Sequence, residues 1–209
     1  GAVGSGAALM VASAGAIDDL LPGGPRGLRG HLRALGRGQV STGVVKLIVI
    51  TAAALITVAA GGRTDALLRF SGVVLIAGAT NLWNGLDVRP GRALKVFLLV
   101  AATGVVWVPH AAPFAIGVAA AALLMVLPDL HERAMLGDAG ANLLGFTVGV
   151  ALFVRSSASW VPFEALLMIG LNVIAETITL SRVIGRIPPL RWLDGLGVRP
   201  PETRNEAAP

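Results

Sequence analysis

Long apolar runs separated by short polar breaks constrain this chain more than any other feature. They lie at roughly 43–60, 70–86, 93–109, 113–128, 141–154 and 160–181, with a partial one at 1–17. A helix rises about 1.5 Å per residue, so about 20 apolar residues cross about 30 Å of hydrocarbon. With 55% hydrophobic residues, 14% charged and a mean hydropathy of +0.76, the expected fold is all-α, a polytopic helical membrane protein of about seven transmembrane helices. The run at 141–154 is short and must borrow from its flanks. Residues 1–197 read as one transmembrane domain, and 198–209, rich in Pro and Glu, as a disordered tail.

Orientation follows from the basic residues, which insertion retains on the cytoplasmic side. Alternate threading from residue 1 puts 14 on one face: Arg26, Arg29, Arg33, Arg37, Lys46, Arg89, Arg92, Lys95, Arg133, Arg182, Arg186, Arg191, Arg199 and Arg204. Only the 3 residues Arg63, Arg69 and Arg155 fall on the other. The chain starts Gly-Ala-Val without an initiator Met, inside an apolar run. It therefore reads as a fragment or processed product, with N-terminal helices expected before it. That first run has neither a basic region before it nor a cleavage pattern, unlike a signal peptide. There is no cysteine, which excludes disulfides and thiolate metal sites. The basic residues flank helices instead of forming a soluble patch, so anionic headgroups and a phosphorylated substrate are the expected partners, not nucleic acid.

The Pro-Gly-Gly-Pro-Arg-Gly-Leu-Arg-Gly stretch at 22–30 opens a cytoplasmic loop. Residues 182–197 mix Ile184, Ile187, Leu190, Trp192, Leu193 and Leu196 with arginines, as an interfacial segment does.

Three polar clusters then stand at the ends of apolar runs on the basic face. Asp18 and Asp19 follow seventeen apolar or small residues. Adjacent carboxylates repel unless a cation or a basic partner intervenes, and a hard divalent cation is one reason to gather them; helix capping or a solvated loop start is the other. Asn81, Asn84 and Asp87 stand at three-residue spacing on an otherwise lipid-like helix. Carboxamides suit a nucleobase, a ribose or a metal-bound phosphate, and equally suit interhelical hydrogen bonding. Asp138 lies between glycines at a helix start, where small neighbours admit a close ligand and the helix N-terminus favours anionic oxygens.

Taken in order and spacing, Gly15-Ala-Ile-Asp-Asp19, Asn81-Leu-Trp-Asn-Gly-Leu-Asp87 and Leu136-Gly-Asp-Ala-Gly-Ala-Asn-Leu-Leu-Gly-Phe146 resemble the polyprenyl-phosphate N-acetylhexosamine-1-phosphate transferases. That family includes phospho-MurNAc-pentapeptide translocase and the GlcNAc-1-phosphate transferases of envelope glycan assembly. The resemblance runs from Gly15 to about Leu180 and includes Gly27-Leu-Arg-Gly-His-Leu-Arg-Ala-Leu35. It implies attack of undecaprenyl phosphate on the β-phosphate of a UDP-amino sugar, with release of UMP, at the cytoplasmic face of a bacterial inner membrane.

By the same resemblance Asp18, Asp19, Asp87 and Asp138 are catalytic, with Asp18 or Asp19 deprotonating the lipid phosphate or orienting metal waters. Asp138 and Asp87 would hold Mg2+, or Mn2+ in its place, and Asn81 and Asn84 would lie on the nucleotide side. Arg89, Arg92 and Lys95 stand where they could hold phosphate oxygens or serve as ordinary positive-inside anchors. His131, seven residues before Asp138, could reach the site or be a plain loop residue. A homodimer stays open.

The chain departs from the family pattern at three places. Asn84 stands where the motif has an acid. Leu20, Leu21 and Pro22 stand where the translocase branch has a Lys, and no histidine follows residue 180, His31, His110 and His131 being all there are. A non-catalytic scaffold or regulator of the same fold is therefore the alternative. A cation transporter would need acids spread through the membrane depth, and these gather at one face.

Overall fold

The computed structural model describes residues 2–21, 30, 33–108, 112–178 and 180–198. Most of the loop expected at 22–30, His31, His110 and nearly all of the expected tail lie outside the described residues. Within them the regular structure is helical throughout. The helices are α1 (Ala2–Leu20), α2 (Thr42–Ala60), α3 (Ala66–Leu86), α4 (Arg92–Ala102), α5 (Ala112–Leu130), α6 (Gly137–Arg155), α7 (Val161–Ile178), α8 (Leu180–Arg186) and α9 (Pro188–Gly195).

Among the described residues, five helices (α1, α2, α3, α5 and α6) are long and apolar enough to cross a membrane. They become six if α7 and α8, which meet at 91°, form one broken span. The run at 93–109, expected as one crossing, is not one continuous helix. Only Arg92–Ala102 is α-helical, about 16 Å at the usual rise. It ends in a turn at Gly104, whose φ of +84° suits glycine. The chain still passes from one end of the bundle to the other here. Gly91 bonds Asp129 at one end, while Val106 and Val108 share a cavity with Gly61 and Val154 at the other. Side chains satisfy part of the irregular stretch: Trp107 Nε1 donates to the Ala101 carbonyl at 2.9 Å and Arg155 donates to the Trp107 carbonyl at 3.0 Å. Non-helical backbone survives at membrane depth only where protein supplies such partners.

Helix α3 is the centre of the bundle, packed against α2, α6 and α7, while α1 packs against α2 and α6. Close approach depends on glycine. A Cβ on Gly145 would lie 2.6 Å from the Ala79 carbonyl oxygen, and one on Gly149 would lie 2.8 Å from Ile76 Cα. Lipid gives helices no hydrophobic reason to associate, so small residues that bring backbones together carry the packing. The core between them holds Leu75, Ile76, Ala79, Phe146 and Phe153. Outward, Phe70, Leu123, Leu124, Leu127 and Leu166 are exposed, a belt that a soluble protein would bury and that lipid covers.

Candidate functional site

Helix α6 begins with Gly137, Asp138 and Ala139, and the first amides of a helix have no partner within it. Three carboxylates from three other parts of the chain satisfy the amides of residues 136 to 139. The Leu136 N–H donates to Asp129 at the end of α5, at 2.9 Å. The Gly137 amide faces Asp87, just past α3, and favours its charged form. The Asp138 and Ala139 amides donate to the two oxygens of Asp19, at the end of α1, at 3.1 and 3.3 Å. This is why acids far apart in sequence converge: each closes an open donor, and the positive end of the helix dipole favours their charge.

Capping needs fewer charges than are present. Asp138, in the same turn, is itself partly enclosed, and Asp18 lies beside Asp19. The cation that answers them is Lys46, from the first turns of α2. Its ammonium lies 2.7 Å from Asp18 and also donates to Asp138. Ser41, before α2, also has an interaction partner. Gly15 lets α1 approach closely enough for this arrangement, since a Cβ there would lie 2.6 Å from the Asp138 carbonyl.

Among the described residues, Lys46 is the cation paired within a group of five acids, Asp18, Asp19, Asp87, Asp129 and Asp138. The imbalance registers at Asp87. Burial first, then the charges of Asp129, Asp138 and Asp19, push its carboxyl up to about 7, with the Gly137 amide acting the other way. A gathering of acids of this kind fits a divalent cation. Among the described residues, however, no three His, Asp or Glu side chains converge tightly enough to hold a metal ion alone. A magnesium ion would take one or two of these carboxylates and complete its shell with phosphate oxygens and water.

The other sequence-derived candidates separate. Asn81 donates to Asn172 Oδ1 at 2.6 Å, and Asn172 in turn donates to the Gly78 and Met168 carbonyls, so Asn81 ties α3 to α7. Asn84 turns inward, and among the described residues its buried Oδ1 has no partner, nor do Trp83 Nε1 and both polar atoms of the fully buried Asn142. The expected single polar stripe of Asn81, Asn84 and Asp87 is thus divided between an interhelical bond and the interior.

Arg92 and Lys95 have partners other than an open phosphate site. Arg92, only 2% exposed, makes a two-pronged ion pair with Asp194 of α9, at 2.7 and 2.9 Å, and donates to Ser181. Lys95 donates to the carbonyls of Leu193, Asp194 and Leu196, closing the C-terminal end of α9. Arg92 also holds the Asp194 carboxyl below the usual carboxylate range. Arg89 reaches Asp194 at 3.5 Å but leaves most of its side chain exposed. His131 follows α5, and among the described residues it pairs with no acid.

Two members of the site are absent from the sequence-derived set. Lys46 reads in sequence as an anchor, yet it lies inside an apolar run, where lipid makes an unpaired ammonium costly. That cost was the available signal. Asp129 lies beside Pro128 at a helix end and carries no motif of its own. Comparison with family models, with curated proteins and with solved structures finds no match to this chain.

Proposed function

We propose that this protein transfers a sugar-1-phosphate from a UDP-N-acetylamino sugar to a polyprenyl phosphate, of the undecaprenyl type, and releases UMP. The proposal places it in a bacterial inner membrane with the acidic end of the bundle facing the cytoplasm, and in the polyprenyl-phosphate sugar-1-phosphate transferase family. The observation that carries it is the convergence of Asp18, Asp19, Asp87 and Asp138 at the start of α6 with Lys46 between two of them.

In this reading the lipid phosphate oxygen forms a bond to the β-phosphorus of the donor, and the bond from that phosphorus to the bridging oxygen breaks. UMP leaves with the electron pair, and the lipid keeps the sugar through a diphosphate. Phosphoryl transfer asks mainly for positioning and charge neutralisation. Asp138 and Asp87 would hold a magnesium ion, which would supply that neutralisation at the diphosphate. Lys46 holds Asp18 and Asp138 in place and offers the phosphates a positive charge. Asp19 fixes the start of α6 against α1, so it serves geometry more than proton transfer. Asn84, neutral and turned into the interior, adds no charge to the site. Arg89 is the cation of its group with an open side, so it is the one to meet the donor's phosphates.

The alternative is a non-catalytic scaffold or regulator of the same fold in envelope assembly. Asn84 in place of an acid, and Arg92 and Lys95 already engaged by α9, favour it. Lipid-dependent release of UMP that a chelator abolishes separates the two.

A further inference from the structure

Asp129 does no chemistry in the scheme above, yet it is a carboxylate only 5% exposed. One oxygen accepts the Gly91 N–H at 2.6 Å and the other accepts the Leu136 N–H at 2.9 Å. Gly91 and Leu136 are the residues that open α4 and α6. A single side chain therefore caps two helices at once: α4, which follows the segment carrying Asp87, and α6, whose own first turn carries Asp138. Charge repulsion between Asp87 and Asp138 would drive these segments apart, and a buried carboxylate on backbone donors resists that.

The local backbone fits a braced corner. Gly91 has φ +72° and its position faces Leu130, where an added Cβ would come within 2.3 Å of a methyl carbon. Glu132 is the one non-glycine residue with positive φ among those described, at 55°, so the chain between Asp129 and Leu136 is bent to bring the carboxylate back under its own following helix. The Arg92 side chain, next after Gly91, is held by Asp194. The corner is thus fixed from both sides.

We infer that Asp129 is a positioning residue: it clamps the starts of α4 and α6 together and so sets the separation of Asp87 and Asp138 across which a divalent cation and a diphosphate bind. This rests on the transferase reading for its consequence, while the clamp itself is a statement about two backbone amides. Asp129→Asn keeps the shape but puts an NH2 donor against one of the two N–H groups, and Asp129→Glu restores charge at a longer reach.

The test measures hydrogen exchange of the Gly91 and Leu136 amides in detergent-solubilised full-length protein, and the magnesium dependence of both melting temperature and UMP release. In the wild type both amides should exchange slowly. Asp129→Asn should speed at least one of them tenfold or more and raise the magnesium concentration for half-maximal effect about tenfold. It should lower kcat with the KM for polyprenyl phosphate within twofold. Asp129→Glu should recover part of the magnesium response. Fast exchange at both amides in the wild type would overturn the clamp, a measurement that needs no folded variant. Raised exchange with unchanged kcat and magnesium response would overturn the positioning role. If the wild type releases no UMP with any donor, the transferase reading fails, and exchange together with the magnesium-dependent melting temperature still decides the clamp.

Discussion

The ammonium of Lys46 lies 2.7 Å from the carboxylate of Asp18, joining α2 to the end of α1. The same ammonium donates to Asp138 of α6, so one lysine holds three helices at the acidic end. Its removal leaves two partly enclosed carboxylates facing each other. Lys46→Met should cut UMP release by about 10²-fold or more, the scale of losing one positioned charge in an electrostatic site. Lys46→Arg, which keeps the charge but not the compact ammonium, should retain a minor fraction. Steady-state rates with saturating donor check both.

Gly15 faces the Asp138 carbonyl so closely that any side chain must push α1 away. Gly15→Val should lower stability by about 1–3 kcal/mol, as overpacking does. It should also lower activity, because Asp18 and Asp19 move with α1. A valine variant with wild-type melting temperature and turnover would show that α1 and α6 do not meet as described.

Asp87 predicts a pH effect with a definite sign. Its folded-state value is raised to about 7, so the folded protein binds this proton more tightly than the unfolded chain. Its contribution is complete below the ordinary carboxylate value, near 4, and is lost as pH rises through about 7. Without divalent cations, the melting temperature of the wild type should fall between pH 5 and pH 8.5 relative to Asp87→Asn. Magnesium should restore much of the difference at pH 8.5, and activity of the asparagine variant should be lost.

Asp194 gives the opposite sign. Arg92 holds its carboxyl below the usual range, so the ion pair stabilises the docking of α9 above the ordinary carboxylate value. That contribution is lost as pH falls through the lowered one. Because Arg92 is buried, Asp194→Ala leaves an unpaired guanidinium and should cost about 3–5 kcal/mol. Limited proteolysis within 180–198 should speed markedly in that variant.

The convergence of Asp18, Asp19, Asp87 and Asp138 was legible in the chain because hydropathy fixes where each crossing ends and basic residues fix which ends share a side. The partners were less so. Asn172 lies 91 residues from Asn81, and nothing in local spacing announces their bond. Arg92 and Lys95 look like anchors or phosphate ligands until α9 folds back over them. The stretch at 93–109 differs from a plain spanning helix because composition cannot see that Gly104 and its neighbours end the helix early. Asp129 lacked any pattern, since its role depends on two backbone amides brought together by the tertiary fold.

The most direct measurement is UMP release by purified full-length protein in detergent, with undecaprenyl phosphate, magnesium and a panel of UDP-amino sugars, alongside Asp138→Asn. The account predicts lipid-dependent release that a chelator removes, and about 10³-fold or greater loss in the folded asparagine variant. No release with any donor from folded wild type, or full activity in Asp138→Asn, would contradict it.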